Sequence, residues 1–186
     1  MAHPTLARHL LSIDDYHRMI KAGILTEQDQ VELIRGEIVY MSPKGSRHAS
    51  CIRKIVSWLP RLVGSQLQLQ VQDPIRIPEW SEPEPDIALT KPRADFYVDE
   101  HPGPEDILLL IEVADTSLAI DRNMKAPVYA EAGIAEYWII NLPEQLIEVY
   151  RTPQGGRYKE MRIFEPGEMI RIPGLGAETP VADWLI

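Results

Sequence analysis

With 186 residues, 45% of them hydrophobic, the chain has apolar material for one domain with a substantial core, and nothing in it argues for two. Its formal charge of −9 excludes a protein that coats nucleic acid through a global positive field, although it leaves room for a local basic patch. One cysteine, Cys51, cannot form an internal disulfide or a multi-thiolate zinc site. The absence of an apolar run of about 18 residues, and of a signal-peptide h-region in MAHPTLARHL, leads to the expectation of a soluble, cytoplasmic protein without a membrane partner.

In chain order, Ser12 followed by Asp14 and Asp15 marks a helix start, with Tyr16, Met19 and Ile20 as a short apolar face ending near Gly23. QVELI and GEIVYM flank Arg35-Gly36 and read as two strands joined by a tight turn, with Glu32 on the first. From Ser46 to Val63, Ile52, Ile55, Val56, Leu59 and Leu62 recur at helical spacing, with Pro60 as a kink or early end and Gly64 as a stop. Cys51 lies among these apolar residues, which assigns it to the core or a helix face. Between Ser42 and Gly64, Lys44, Arg47, Arg53, Lys54 and Arg61 occur without any acid; a solvated helix face and a phosphate-contacting one fit equally.

Strands follow at Leu67 to Val71, Ile75 to Ile77, Asp86 to Leu89 and Ile107 to Val113, and prolines make the interval from Pro78 to Glu105 rich in loops. A second helix is predicted over roughly Asp121 to Ala132, with Pro127 in its first turns or bending it, and Gly133 as its stop. Tyr137 to Asn141, Gln145 to Arg151, Tyr158 to Phe164 and Met169 to Ile172 complete the strands.

The segment from Leu108 to Asn141 carries the chemistry. Ile107 to Val113 is apolar except for Glu112, the pattern of a strand inside a sheet. An ionised carboxylate buried there costs several kcal/mol unless a cation or a hydrogen-bond network compensates it, so something positive is expected beside Glu112. Asp86 opens another short strand, and Lys125 stands near the entrance to a helix. Two acids and a lysine on neighbouring elements fit metal-dependent phosphodiester cleavage. Magnesium prefers hard oxygen ligands and usually takes one or two protein carboxylates, which Asp86 and Glu112 can supply. Lys125 is the candidate to orient water or stabilise charge, with a pKa that burial and a metal would depress. The same residues fit blander roles. Asp86 can be a turn acid after Pro85, Glu112 the acid of a buried pair with Arg122 or Lys125, and Lys125 a solvated helix residue. Glu32 fits a solvent-facing position equally well, and His48 a capping or surface position.

VELIRGEIVYMSP with the following His48, then PEPDIAL, LLIEVADTS, DRNMKAPVYAEAG and IAEYWIIN, resemble the Uma-type putative restriction endonucleases, abundant in cyanobacteria and placed in the PD-(D/E)XK nuclease superfamily. The resemblance runs from about Val31 to Val149. It implies an α/β (α+β) fold: a mixed central sheet flanked by helices, here with extra N-terminal and C-terminal strands. It also implies a DNA endonuclease using Mg²⁺ or Mn²⁺, with Asp86 and Glu112 as the acids of the two half-motifs. The lysine expected two residues after Glu112 is replaced by Ala114, and its role passes to Lys125; Glu32 matches a recurrent acid of the first motif. Val113 joins Asp86, Glu112 and Glu32 as an expected metal-contacting position, and Lys44, Arg47, His48, Arg53 and Lys54 are the expected DNA contacts. Asp115 and Asn141 depart from the pattern, standing where a Ser and an Asp are expected. A homodimer is expected, because two sites related by a two-fold axis cut both strands of a duplex most simply. A catalytically inactive binding or scaffold protein, and a nuclease acting on RNA or another phosphoester, are the alternatives.

Overall fold

A computed structural model describes residues 8–26 and 28–186; residues 1–7 of the stretch expected to lack a signal peptide, and residue 27, lie outside the described residues. Helix α1 (Ile13–Lys21) starts in a capping box: Ser12 Oγ accepts the Asp15 N–H while the Asp15 carboxylate accepts the Ser12 N–H. Its Ile13 and Tyr16 pack against Leu33. Strands β1 (Val31–Ile34) and β2 (Glu37–Tyr40) form the expected antiparallel hairpin. Arg35 and Gly36 turn it with φ of 49° and 76°, the paired positive values that match the twist of a two-residue turn. Gly36 also leaves space for Leu10, whose Cβ lies 2.7 Å from where a side chain at position 36 would begin.

Helix α2 (Ser46–Val63) buries Cys51, Ile52, Ile55, Leu59 and Val63 along one stripe. It runs through Pro60, which lies on the exposed side within the last turn, where one missing N–H costs least. Strands β3 (Gln68–Val71), β4 (Ile87–Thr90), β5 (Ile107–Ala114), β6 (Glu136–Asn141), β7 (Leu146–Gln154) and β8 (Arg157–Phe164) make a six-stranded sheet in that spatial order. Only β5 and β6 run parallel, and the helical segment between them is the crossover that parallel neighbours require. Two further strands, β9 (Met169–Arg171) and β10 (Glu178–Pro180), pair with each other near the C-terminus. The mixed central sheet flanked by helices, with extra strands at both ends, is therefore present.

Alternation along β5 divides the core. Leu109, Ile111 and Val113 face α2, Trp138 and Trp184, whereas Leu110 and Ala114 face Tyr129, Tyr137 and Ile139 on the other side. Two expectations fail. Ile75 to Ile77 is not a strand: only Ile77 makes an isolated bridge, to Ser81, and Ile75 is buried in an irregular segment. Pro74 and Pro78 bracket it, and prolines cannot donate to a ladder. The second helix begins earlier than predicted and is not uniform. It comprises α3 (Leu118–Ile120), a π turn over Asp121–Lys125, and α4 (Ala126–Glu131). Pro127 lacks the N–H for a regular turn, and the wide turn immediately before it closes instead through the Ala126 N–H to the Asp121 carbonyl.

Candidate active site

The β4–β5 register pairs Ile87 with Ile111, so one step further along each antiparallel strand sets Asp86 opposite Glu112. The two acids are joined through the Asp86 N–H, which reaches Glu112 Oε2 at 3.3 Å. Glu112 is 4% exposed and points to the side of the sheet covered by α4. Its compensation is the one its burial demanded. Lys125 Nζ lies 2.9 Å from Glu112 Oε1, and the Tyr129 hydroxyl donates to the same oxygen at 3.0 Å. The π turn places Asp121, Lys125 and Tyr129 together on the buried side of the helical segment. Arg122, the other cation considered for Glu112, instead makes a two-pronged pair with Glu148 at 2.5 and 2.9 Å.

Glu32 enters from β1. Its Oε2 stands 3.4 Å from Lys125 Nζ and accepts the Glu84 N–H at 3.0 Å, so the ammonium lies between Glu112 and Glu32. Asp86 is fixed by three donors: the Val113 N–H at 2.9 Å and His48 Nε2 at 2.8 Å on Oδ2, and Gln72 Nε2 at 3.1 Å on Oδ1. Glu32, Asp86, Glu112, Lys125 and His48 thus converge on one cleft, although they come from β1, the approach to β4, β5, the π turn and α2.

The cleft is strongly acidic. Glu84, Asp115 and Asp121 line it beside Glu32, Asp86 and Glu112, against Lys44 and Lys125. Burial, with Asp86, Asp121 and Glu32 nearby, pushes the Glu112 carboxyl well above its ordinary value even though Lys125 opposes the shift. Burial alone would also raise Asp86, but the bonds from His48, Val113 and Gln72 outweigh it and hold this carboxyl below its usual range. Burial likewise lifts Asp121 to about 6, with the Ser117 hydroxyl, 2.6 Å away, holding it back. Lys125 departs from expectation. Burial favours its neutral amine, yet Glu112 and Glu32 override that and raise its pKa, so it stays an ammonium. The coupled group therefore carries surplus negative charge that a proton on Glu112 relieves.

These residues fit a hard divalent cation in donor chemistry and in charge. Among the described residues no three His, Cys, Asp or Glu side chains form a closed metal cage. Magnesium does not require one, since one or two carboxylates complemented by water and substrate suffice, and Asp86 and Glu112 are two carboxylates lining the cleft. Val113 has an aliphatic side chain without a donor atom and gives its N–H to Asp86, so only its main-chain carbonyl could meet a cation. Glu32 contacts Lys125 at 3.4 Å.

The expected DNA contacts separate into two groups. Lys44 and Arg47 stand where α2 meets the cleft, each beside an acid: Lys44 Nζ is 3.8 Å from Glu84, and Arg47 is 3.6 Å from Asp115. Asp115, one of the two departures from the family pattern, therefore holds a cation at the mouth. Asn141, the other, bonds Glu148 away from the cleft. Arg53 is exposed further along the helix, and Lys54 Nζ is taken by the Ala182 and Leu185 carbonyls at 2.9 and 2.5 Å. The structure thus gives Lys54 a different task, anchoring the C-terminal tail. Tyr129, Asp121, Glu84 and Gln72 are site residues that sequence reading missed. Tyr129 had a usable signal, lying one helical turn after Lys125, and Glu84 stands in the same EPEPD run as Asp86; nothing in sequence pairs Gln72 with Asp86.

Among the described residues no helix is long and apolar enough to cross a membrane. No curated protein matches the chain. A crystal structure of a putative nuclease belonging to DUF820 from Anabaena variabilis has a TM-score of 0.70 to it, covering 94% of this chain and 97% of that one. At 19% identity this likeness is one of fold. The Uma2 family model, described as putative restriction endonuclease, matches residues 13–182 and so spans the hairpin, the sheet and every residue of the cleft. The chain belongs to the Uma2 family of putative restriction endonucleases.

Proposed function

We propose that this nuclease-family chain is a divalent-metal-dependent DNA endonuclease, with Asp86 and Glu112 as the residues that hold Mg²⁺ or Mn²⁺. The observation that carries the reading is the opposed pair Asp86–Glu112 beside a buried ammonium, in a cleft whose acids outnumber its cations. When bound, the cation supplies Lewis-acid stabilisation at the phosphoryl group and a water of lowered pKa. Water adds to phosphorus as one ester P–O bond breaks, and the proton that the water gives up ends on the departing ester oxygen. Lys125, held protonated, acts as a hydrogen-bond donor and fixed positive charge in this chemistry rather than as a base. Tyr129 keeps Glu112 from rotating away, and Val113 does the same for Asp86 through its N–H. Without a cation the acids of the cleft repel a phosphodiester, so substrate and metal depend on each other.

Lys44 and Arg47 would exchange their acidic neighbours for DNA phosphates. Arg53 would extend that track along α2, and a two-fold homodimer would present one cleft to each strand. The reading is tested by binding of a duplex oligonucleotide in Ca²⁺ buffer over a range of ionic strength. Losing two phosphate contacts in the Lys44→Ala, Arg47→Ala double variant should flatten the log–log salt slope by about 2. Lys54→Ala should leave the slope unchanged. An unchanged slope in the double variant removes this end of α2 from the DNA face, and preferential binding of an RNA duplex would move the activity to RNA.

A further inference from the structure

The buried stripe of α2 begins with a polar side chain. His48 precedes Ile52, Ile55 and Leu59 at helical spacing, so the same packing that seats the helix on the sheet presses the imidazole toward the cleft. Its side chain is only 12% exposed, which is little for a group expected to meet DNA. Nε2 lies 2.8 Å from Asp86 Oδ2, and an ionised carboxylate is acceptor-only, so Nε2 carries the proton and donates. Nδ1 is buried and has no hydrogen-bond partner among the described residues. The carboxylate that His48 holds stands just ahead of β4; the Asp86 carbonyl still accepts the Gln72 N–H, while the side chain is oriented by His48, Val113 and Gln72 donors.

Resting on the metal-dependent reading above, we propose that His48 is a positioning residue that orients Asp86 for the cation, and not a phosphate contact. Its aromatic ring fixes the direction of the Nε2 donor, and its place on the apolar stripe prevents it from swinging out. A donor in the second layer of a metal site orients the ligand in front of it.

The experiment is a Mn²⁺ titration followed by thermal shift, on wild type, His48→Gln and His48→Ala, each referred to its own melting temperature in EDTA. Wild type should be stabilised by Mn²⁺. His48→Ala should need about 10–100-fold more Mn²⁺ for half of its shift. His48→Gln, whose amide nitrogen can replace Nε2, should stay within a few-fold of wild type. The salt slope for duplex DNA in Ca²⁺ should be the same in all three. If the Mn²⁺ midpoint of His48→Ala equals that of wild type, the positioning role is overturned, whether or not the variant is less stable in EDTA. A normal midpoint with a flattened salt slope would make His48 a phosphate contact. If wild type itself gains nothing from Mn²⁺, the metal reading falls and this role falls with it.

Discussion

Lys125→Met should lower stability by about 3–5 kcal/mol at neutral pH, because removing one partner of a buried ion pair leaves the other uncompensated. The ammonium serves two carboxylates, at 2.9 Å from Glu112 and 3.4 Å from Glu32, and neither has solvent to replace it. Lys125 has a folded pKa above its ordinary value of 10.5, so its contribution is fully present below that value and is lost only as pH rises through the higher folded value. Neutral pH therefore exposes the whole effect. In the variant, Glu112 should titrate further above its ordinary value of 4.5, so stability should fall as pH rises from there and return on acidification. Urea denaturation at pH 5 and pH 7.5 reads both effects. A loss under about 1 kcal/mol, or one independent of pH, would show that Lys125 is a solvated residue instead.

Glu112→Gln should remove a buried acceptor and a proposed metal ligand together. Both Glu112 oxygens accept hydrogen bonds, from Lys125 and Tyr129 on one and from the Asp86 N–H on the other, so the glutamine amide sets a donor against a donor and metal-free stability should fall by about 1–3 kcal/mol. The pH dependence should change more clearly. A carboxyl whose folded pKa is raised binds protons more tightly in the folded state, so metal-free wild type should lose stability as pH rises above 4.5 toward the folded value. The glutamine variant should lack that slope. It should also lose the metal-dependent gain, which for wild type is about 2.7 kcal/mol at a metal concentration 100 times Kd. Cleavage should fall by on the order of 10³-fold or more, the equivalent of losing about 4 kcal/mol of charge stabilisation. A variant that keeps the full metal-dependent gain would remove Glu112 from the cation site.

Much of the cleft was legible because Glu112 breaks an apolar run. A lone carboxylate inside a buried strand needs a cation, and the sequence contains few candidates close by. Asp86 was legible for a related reason, since strands flanking a sheet interior bring their polar ends to a common edge. The choice between Arg122 and Lys125 was not legible. It depends on the π turn over Asp121–Lys125, which shifts the phase of the helix by an amount that regular 3.6-residue spacing does not contain. The hairpin was readable from Gly36 between two apolar runs, because glycine accepts a positive φ freely, whereas Arg35 at φ 49° is held there by the turn. The irregular segment at Ile75 was not, since its apolar spacing is that of a strand while Pro74 and Pro78 deny it a ladder. Lys54 shows the limit of reading charge alone: it follows Arg53 in a stretch without acids, but its partners come from Ala182 and Leu185, more than a hundred residues away.

The most direct measurement is cleavage of supercoiled plasmid by the wild-type chain in Mg²⁺ or Mn²⁺, beside Glu112→Gln and an EDTA control. Nicking or linearisation by wild type only with metal, and none by the variant, is the expected result. Equal inertness of wild type and variant across both metals, or cutting that survives EDTA, would contradict a metal-dependent DNA endonuclease built on Asp86 and Glu112.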